Sequence, residues 1–400
     1  VKVYMTRIQN EMEARALSMQ NEIDSMKSRL SQMDELKKEN KMLETGAASM
    51  QNEVTLLKNE NKSLMTRCGS LERSFTIIAK EQKWEYSAPD IPRSHWEEEL
   101  GFDQDYIAEM KQFLRQIMQI TCALRNNEVD DTEIIDLGAD SDIVLLHDDI
   151  LLPHWEELAN AMQLYRKGKF KISIDNLQLS ASVIDLLLPM LKHKPVISIE
   201  LQNNSFVNVR EGIEFAVEVM ESNERMETFY WTSNTINSME DARYLVEAVN
   251  SHPIINTVRL ENCFGNDING YDILCSLLTR DKNFTVIDLE SNNFTQTGGS
   301  TAISDYLATN PSLEILRLSD NHLNDDDARL IARALKHNTN LKDIYLVRNN
   351  ITEVGCNALS KAVYNPESLN SVADCNHTCI MYGVDFGGVS FGNSRFAPKH

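Results

Sequence analysis

Asp374-Cys375-Asn376-His377-Thr378-Cys379 packs two thiols and an imidazole into five residues, as a metal site would. A structural zinc centre closes four ligands around the ion. No second Cys/His pair follows to complete the set, so a turn is expected here and no metal. Asp130, Asp131, Asp136, Asp140, Asp142, Asp148 and Asp149 gather carboxylates. They lack the alternating ligands, central glycine and closing glutamate of a calcium-binding helix–loop–helix, which leaves a solvated acidic face. The chain has no Gly-rich phosphate loop and no nucleophile elbow. No Ser, Cys, His and Asp set is spaced for catalysis. The expectation is therefore a protein that is not an enzyme and takes no cofactor. The remaining chemistry is recognition. Glu200, Tyr230, Arg259, Asp288, Arg317 and Tyr345 recur at steps of 28–30 residues, and Gln202, Thr232, Glu261, Glu290 and Ser319 run two positions behind. Tyrosine and arginine are the side chains that interface hot spots favour. Tyr230, Arg259, Arg317 and Tyr345 are thus candidate contacts for a protein partner, with Glu261 and Glu290 facing a basic one. Arg259, Asp288 and Arg317 could equally pair with one another across neighbouring strands.

A repeating element must carry such rows. The pattern L-x-x-L-x-L-x-x-N-x-L returns as Val196, Ile199, Leu201, Asn204 and Phe206, then as Met226, Phe229, Trp231, Asn234 and Ile236. It returns again from Phe284, Leu313 and Leu341, with weaker copies around Ile172 and Val258. Its fourth position falls at 145, 172, 199, 229, 258, 287, 316, 344 and 372, at intervals of 27–30 residues. Nine units at so constant a period mark a solenoid. In each, the L-x-L alternation makes a short strand with two side chains inward. Asparagine at position nine turns the chain and satisfies backbone groups left unpaired there. An amphipathic helix follows, as in Asp325–His337 with Ala328, Leu330, Ile331, Ala334 and Leu335 on one face. Strands pack about 4.8 Å apart and helices about 8–10 Å apart, so parallel strands must line the inside of a horseshoe and helices its outside.

A 27–30-residue unit with a full helix resembles the ribonuclease-inhibitor type of leucine-rich repeat. The resemblance covers roughly 142–380 and implies an α/β solenoid of about nine units. Proteins of this kind include enzyme inhibitors, Ran GTPase-activating proteins, innate-immunity sensors and the actin-capping tropomodulins. The resemblance therefore implies a binding surface, with a GTPase-activating or a tropomodulin-like cytoskeletal role as alternatives. Position nine departs from asparagine at Leu177, Cys263 and His377.

Ahead of the repeats, apolar residues from Met5 to Ile78 recur at alternating steps of three and four without proline. That is the pattern of a coiled coil over 5–80. With Leu43, Met50, Leu57, Leu64 and Leu71 at d, Asn40 and Asn61 both occupy a, three heptads apart. Buried asparagines there fix register and favour a parallel dimer, so a homodimer through 5–80 is expected. Residues 1–30 hold no basic run, which excludes a DNA-binding zipper. Residues 81–104, with Pro89, Pro92 and Glu97-Glu98-Glu99, read as a linker. Residues 105–141 read as an acidic helical cap over the first repeat, and 381–400 as a loose tail.

The formal charge is −21. Residues 1–80 carry 13 basic and 11 acidic residues, whereas 81–157 alone carry 5 basic and 20 acidic. Such a surface repels phosphate, which argues against nucleic acid or an anionic membrane as partner. No run approaches the 18 apolar residues of a membrane helix, and no leader pattern follows Val1. Seven scattered cysteines suit reduced thiols in a cytoplasmic protein.

Overall fold

A computed structural model describes residues 84–384 apart from 127, 129–131, 166–167, 193, 267, 269, 279–281 and 295–300. Before them it describes residues 19, 25–27, 30–33, 35–43, 46, 50–51 and 54–67. The chain divides into two units, Val1–Glu85 and Tyr86–His400.

In the first unit the described residues between 19 and 67 are helical and exposed, Asn40 and Asn61 among them. Leu30, Leu36, Leu43, Leu57 and Leu64 of the heptad series all face solvent in the single chain. The rest of the expected coiled coil lies outside the described residues.

The second unit is a parallel nine-stranded sheet backed by helices. It opens with α1 (Gln104–Asn126), then β1 (Thr132–Gly138), α2 (Leu152–Leu164) and β2 (Lys169–Asp175). After the short β3 (Gln178–Leu179) come α3 (Ala181–Leu191), β4 (Val196–Gln202), the short β5 (Ser205–Phe206), α4 (Val209–Ser222) and β6 (Thr228–Thr232). α5 (Met239–Ser251), β7 (Thr257–Arg259), α6 (Gly270–Leu277), β8 (Val286–Asp288), α7 (Ala302–Ala308) and β9 (Ile315–Arg317) follow. The unit closes with α8 (Asp325–Leu335), β10 (Asp343–Tyr345), α9 (Glu353–Val363), α10 (Leu369–Ala373) and β11 (Ile380–Tyr382). The sheet runs β1-β2-β4-β6-β7-β8-β9-β10-β11, every neighbour parallel, so each crossover adds the next strand on the same side. That is the solenoid the period implies.

Inside, one residue per unit stacks in register: Ile135, Ile172, Ile199, Phe229, Val258, Ile287, Leu316, Ile344 and Met381, each buried. The position-nine asparagines form a second, polar column. Asn321 is buried. Its amide nitrogen donates to the carbonyls of Leu289 (3.0 Å) and Leu318 (3.1 Å), while its oxygen accepts from Asn292 N (3.1 Å) and Phe294 N (3.0 Å). Asn234 does the same three units earlier, donating to Leu201 O at 2.8 Å and accepting from Asn204 N. Each asparagine thus ties its own turn to the preceding unit, which a buried backbone demands.

The terminal units differ from the expected register. The first strand of the sheet is β1, in which Ile135 pairs with Ile172, and not the segment at Leu145. Leu145 instead bridges Leu177, beyond β2. The sheet therefore begins at Thr132, inside the region expected to be cap. At the other end Ile344 pairs with Met381, while Val372 lies in α10. The tail expected from 381 thus contributes the last strand. Both outer units are longer than the inner ones: 172 − 135 and 381 − 344 each give 37 residues. The extra chain holds the 139–151 loop at one end and α10 at the other, so a fixed period lands in the wrong place.

Residues 81–104 are not a free linker across their described part. Trp96 is 1% exposed within a π-helical turn, His95–Glu99. The Tyr86 hydroxyl bonds His154 Nδ1 at 2.7 Å, and His95 Nε2 pairs with Asp148 at 2.7 Å. α1 buries Ile107, Met110, Phe113, Ile117 and Leu124, with the Phe113 ring 5.6 Å from that of Trp155 on α2. Their i, i+3, i+4 spacing gives one apolar stripe, which covers the open end of the core.

Candidate functional site

Because side chains alternate along a strand, the residue after each buried one faces the open side of the sheet. Pairing aligns Glu200 with Tyr230, Tyr230 with Arg259, Arg259 with Asp288, Asp288 with Arg317 and Arg317 with Tyr345. The row expected from the spacing is therefore present. The register extends it to Asp136 and Ser173 at one end and Tyr382 at the other.

Asp288 organises this row and is not a contact residue in its own right. It is 3% exposed, although it was expected to face a partner. Its Oδ2 accepts from Arg259 Nε at 3.0 Å and lies 3.8 Å from Arg317 Nε. Each arginine in turn lies over a tyrosine. Arg259 Cζ is 4.6 Å from the Tyr230 ring centroid and Arg317 Cζ is 4.7 Å from that of Tyr345. Tyr345 stacks on Tyr382, with centroids 4.2 Å apart and rings 6° from parallel. The cross-strand pairing of Arg259, Asp288 and Arg317 is thus present in the row. The carboxylate fixes two guanidinium groups, and these fix two aromatic faces beneath them.

The second row is less compensated. Glu261 comes within 3.8 Å of Arg259 Nε, but burial still raises its pKa, as does the nearby Asp288. Glu290 is pushed up to about 7, first by burial and then by Asp288, Glu261 and Asp320 around it. Thr232 and Ser319 of the same row are buried. At the other end of the face, Asp175 is raised to about 6 by burial and by Asp136 and Glu200. Glu200 is raised by burial against the opposing pull of Arg259 and Lys171.

Three features escaped the spacing argument. Tyr382 was lost with the register of its unit. Asp175 extends the second row onto β2, where it pairs with Gln202, and Asp320 stands one position beyond Ser319. Position eight of the repeat is left-handed throughout: Asn176, Asn203, Ser233, Asn262, Ser291, Asp320 and Arg348 all have φ between 47° and 61°. All of these but Arg348 are short polar side chains, which tolerate that conformation, and their recurrence just before position nine is the signal the sequence carries. Asp374 to Cys379 forms the turn before β11, where Asn376 accepts from Thr378 N and Cys379 N at 2.8 Å. No metal-competent cluster occurs among the described residues, and no helix there is long and apolar enough to cross a membrane.

A leucine-rich-repeat family model matches residues 309–332 and 337–360. These segments hold the β9–α8 and β10–α9 units. No curated protein matches the sequence. Among solved structures, the chain is similar to a Bacteroides fragilis protein at 14% identity and a TM-score of 0.33. That alignment covers 52% of this chain and 66% of the other. An internalin from Listeria monocytogenes is 12% identical at a TM-score of 0.29, covering 64% of this chain and 93% of the other. Scores this low decide neither fold nor function. The nine-strand register and the asparagine column, together with the family match over the last inner units, show the second unit to be a leucine-rich-repeat solenoid.

Proposed function

We propose that this protein is a non-enzymatic interaction scaffold that recognises a basic protein partner on the concave face of its repeats and is paired by its N-terminal helix. The carrying observation is the Tyr230–Arg259–Asp288–Arg317–Tyr345 row. Two arginines are held by one buried carboxylate over two aromatic rings, so the contact atoms are rigid before binding. Preorganised aromatic and arginine side chains lose little entropy on association. Incompletely compensated carboxylates on the neighbouring row favour a cationic partner over phosphate or an anionic membrane. The exposed heptad series with Asn40 and Asn61 supports a parallel homodimer, and the scattered thiols support a reducing, intracellular setting.

The test is a Tyr230→Ala/Arg317→Ala double variant, assayed against a partner captured by the wild-type chain and identified. Each hot-spot truncation is expected to cost about 2 kcal/mol, roughly thirtyfold in affinity, at unchanged circular dichroism. Equal binding by the double variant would place recognition elsewhere on the molecule.

A further inference from the structure

The carboxylates of the concave face are not spread evenly. One group lies on the first strands: Asp136 on β1, Asp175 on β2 and Glu200 on β4. The other lies around β8, where Glu290 sits between Glu261 and Asp320. Between the groups stand Tyr230 and Arg259, cation over ring. The cations of the central region are already engaged. Arg259 and Arg317 close on Asp288, and Arg348 pairs with Asp320. Near the first group, Lys171 and Arg259 act on Glu200. Asp175 accepts its hydrogen bond from the Ser173 hydroxyl at 2.8 Å. The face therefore presents two groups of carboxylates separated by Tyr230 and Arg259, whose guanidinium is held by Asp288.

We propose, resting on the recognition reading above, that the concave face binds a basic protein segment at two points, with one cationic side chain at the Asp136–Asp175–Glu200 pole and a second at the Glu261–Glu290–Asp320 pole. From β2 to β8 the sheet makes four strand steps, which at about 4.8 Å each separates the poles by roughly 19 Å. Cations much closer together would set one of them against Arg259, and cations much farther apart would overrun the poles. Spacing, more than net charge, thus selects the partner.

Acidity supports the same geometry. Glu290 is faced by Glu261 from the β7 side and by Asp320 from the β9 side, and Arg348 is the cation that acts on it. Its own strand contributes Asp288, and Arg348 stands behind Asp320. Burial among these carboxylates keeps part of the Glu290 population protonated near pH 7. A bound cation favours the ionised form, so binding takes up this capacity and weakens as the pH falls.

Polyproline peptides make a suitable ruler, because they rise about 3.1 Å per residue with three residues per turn. Two arginines flanking two, five or eight prolines lie on one face, at separations of roughly 9, 19 and 28 Å. Trifluoroacetyl-capped, amidated peptides of this series would be titrated with the full-length chain by fluorine NMR at low salt. The five-proline peptide is expected to bind at least fivefold more tightly than the other two. Its advantage should vanish in both Glu290→Gln and Asp175→Asn, each of which leaves one pole intact. Its affinity should also fall at least threefold between pH 8 and pH 6. Equal affinity across the three spacers, or an advantage that survives both substitutions, would overturn the two-point inference. A flat spacer profile with partner binding that still depends on Tyr230 and Arg317 would leave the recognition face standing. Partner binding indifferent to those two residues would remove the face itself.

Discussion

His252 has the same work to do as Asn338 and Asn376 at the turn that leads from helix back to strand. Its Nδ1 accepts from Ile254 N at 3.3 Å and Ile255 N at 3.2 Å, and its Nε2 donates to Asn223 O of the preceding unit at 3.1 Å. Asn338 accepts from the N–H groups two and three residues on, those of Asn340 and Leu341. Asn376 does likewise, and its amide donates to Asn338 O of the unit before. The bonding requires neutral imidazole with Nδ1 bare. Burial, and then the charge of Lys282, lowers the pKa from its ordinary value of 6.5. The unfolded chain therefore binds the proton first. The stability contributed by this turn is complete above about pH 6.5 and declines as the pH falls from there toward the depressed value. His252→Asn should keep the turn and remove that decline, whereas His252→Ala should cost about 1–3 kcal/mol by stranding buried N–H groups. Denaturant titrations at pH 7.5 and 5.5 would decide it. An asparagine variant as unstable as the alanine one would sink the equivalence.

At the scale of elements, α4 meets the turn after β4 through a glycine. A Cβ at Gly212 would come within 2.6 Å of the Phe206 ring. That ring cannot swing away freely, because it stacks on Trp231 at 5.5 Å and 4°. Trp231 is itself held by its indole N–H, which donates to Asn234 O at 2.8 Å. Alanine usually stabilises a helix interior by about 1 kcal/mol over glycine. Here the overpacking should win, leaving Gly212→Ala destabilised by about 1–2 kcal/mol. Adding Phe206→Leu, which opens space beside the new methyl, should recover part of that loss. A Gly212→Ala protein that melts above the parent would show that the aromatic pair yields. The same packing explains which elements were legible from sequence. Inner units repeat because each must place two apolar side chains and one asparagine in the same column, so Ile199, Phe229, Ile287 and Leu316 announce themselves. The end units answer to caps instead. β1 is followed by the acidic 139–151 loop and β11 is preceded by α10, so Leu145 and Val372 matched the period without being strands. Of the concave row, Glu200 to Tyr345 could be read from spacing alone. The burial of Asp288 could not, because it depends on two arginines closing over it from both sides.

For the whole molecule, the boundary between the two units decides how the pairing reading can be tested. Truncation at Gln104, where the cap helix starts, would strip away Trp96, whose indole is buried, and Tyr86, which bonds His154. The repeat unit should therefore be made from Tyr86 onward, at the division of the chain itself. On the pairing reading, the full chain sediments at twice its 45.6 kDa, and the chain from Tyr86 sediments as a monomer. Residues 1–80 are nearly neutral, with 13 basic against 11 acidic residues, so self-repulsion does not oppose their association. Asparagine at two a positions sacrifices stability for a single register. Asn40→Leu/Asn61→Leu should accordingly raise the melting temperature of the helical signal while admitting trimers or higher states. Pairing also gives two recognition faces to one particle. A partner displayed at high density on a surface should then dissociate more slowly from the full chain than from the chain starting at Tyr86, by tenfold or more if both faces engage. A monomeric full chain would end the pairing reading, and equal dissociation rates from a proven dimer would mean that its two faces act independently.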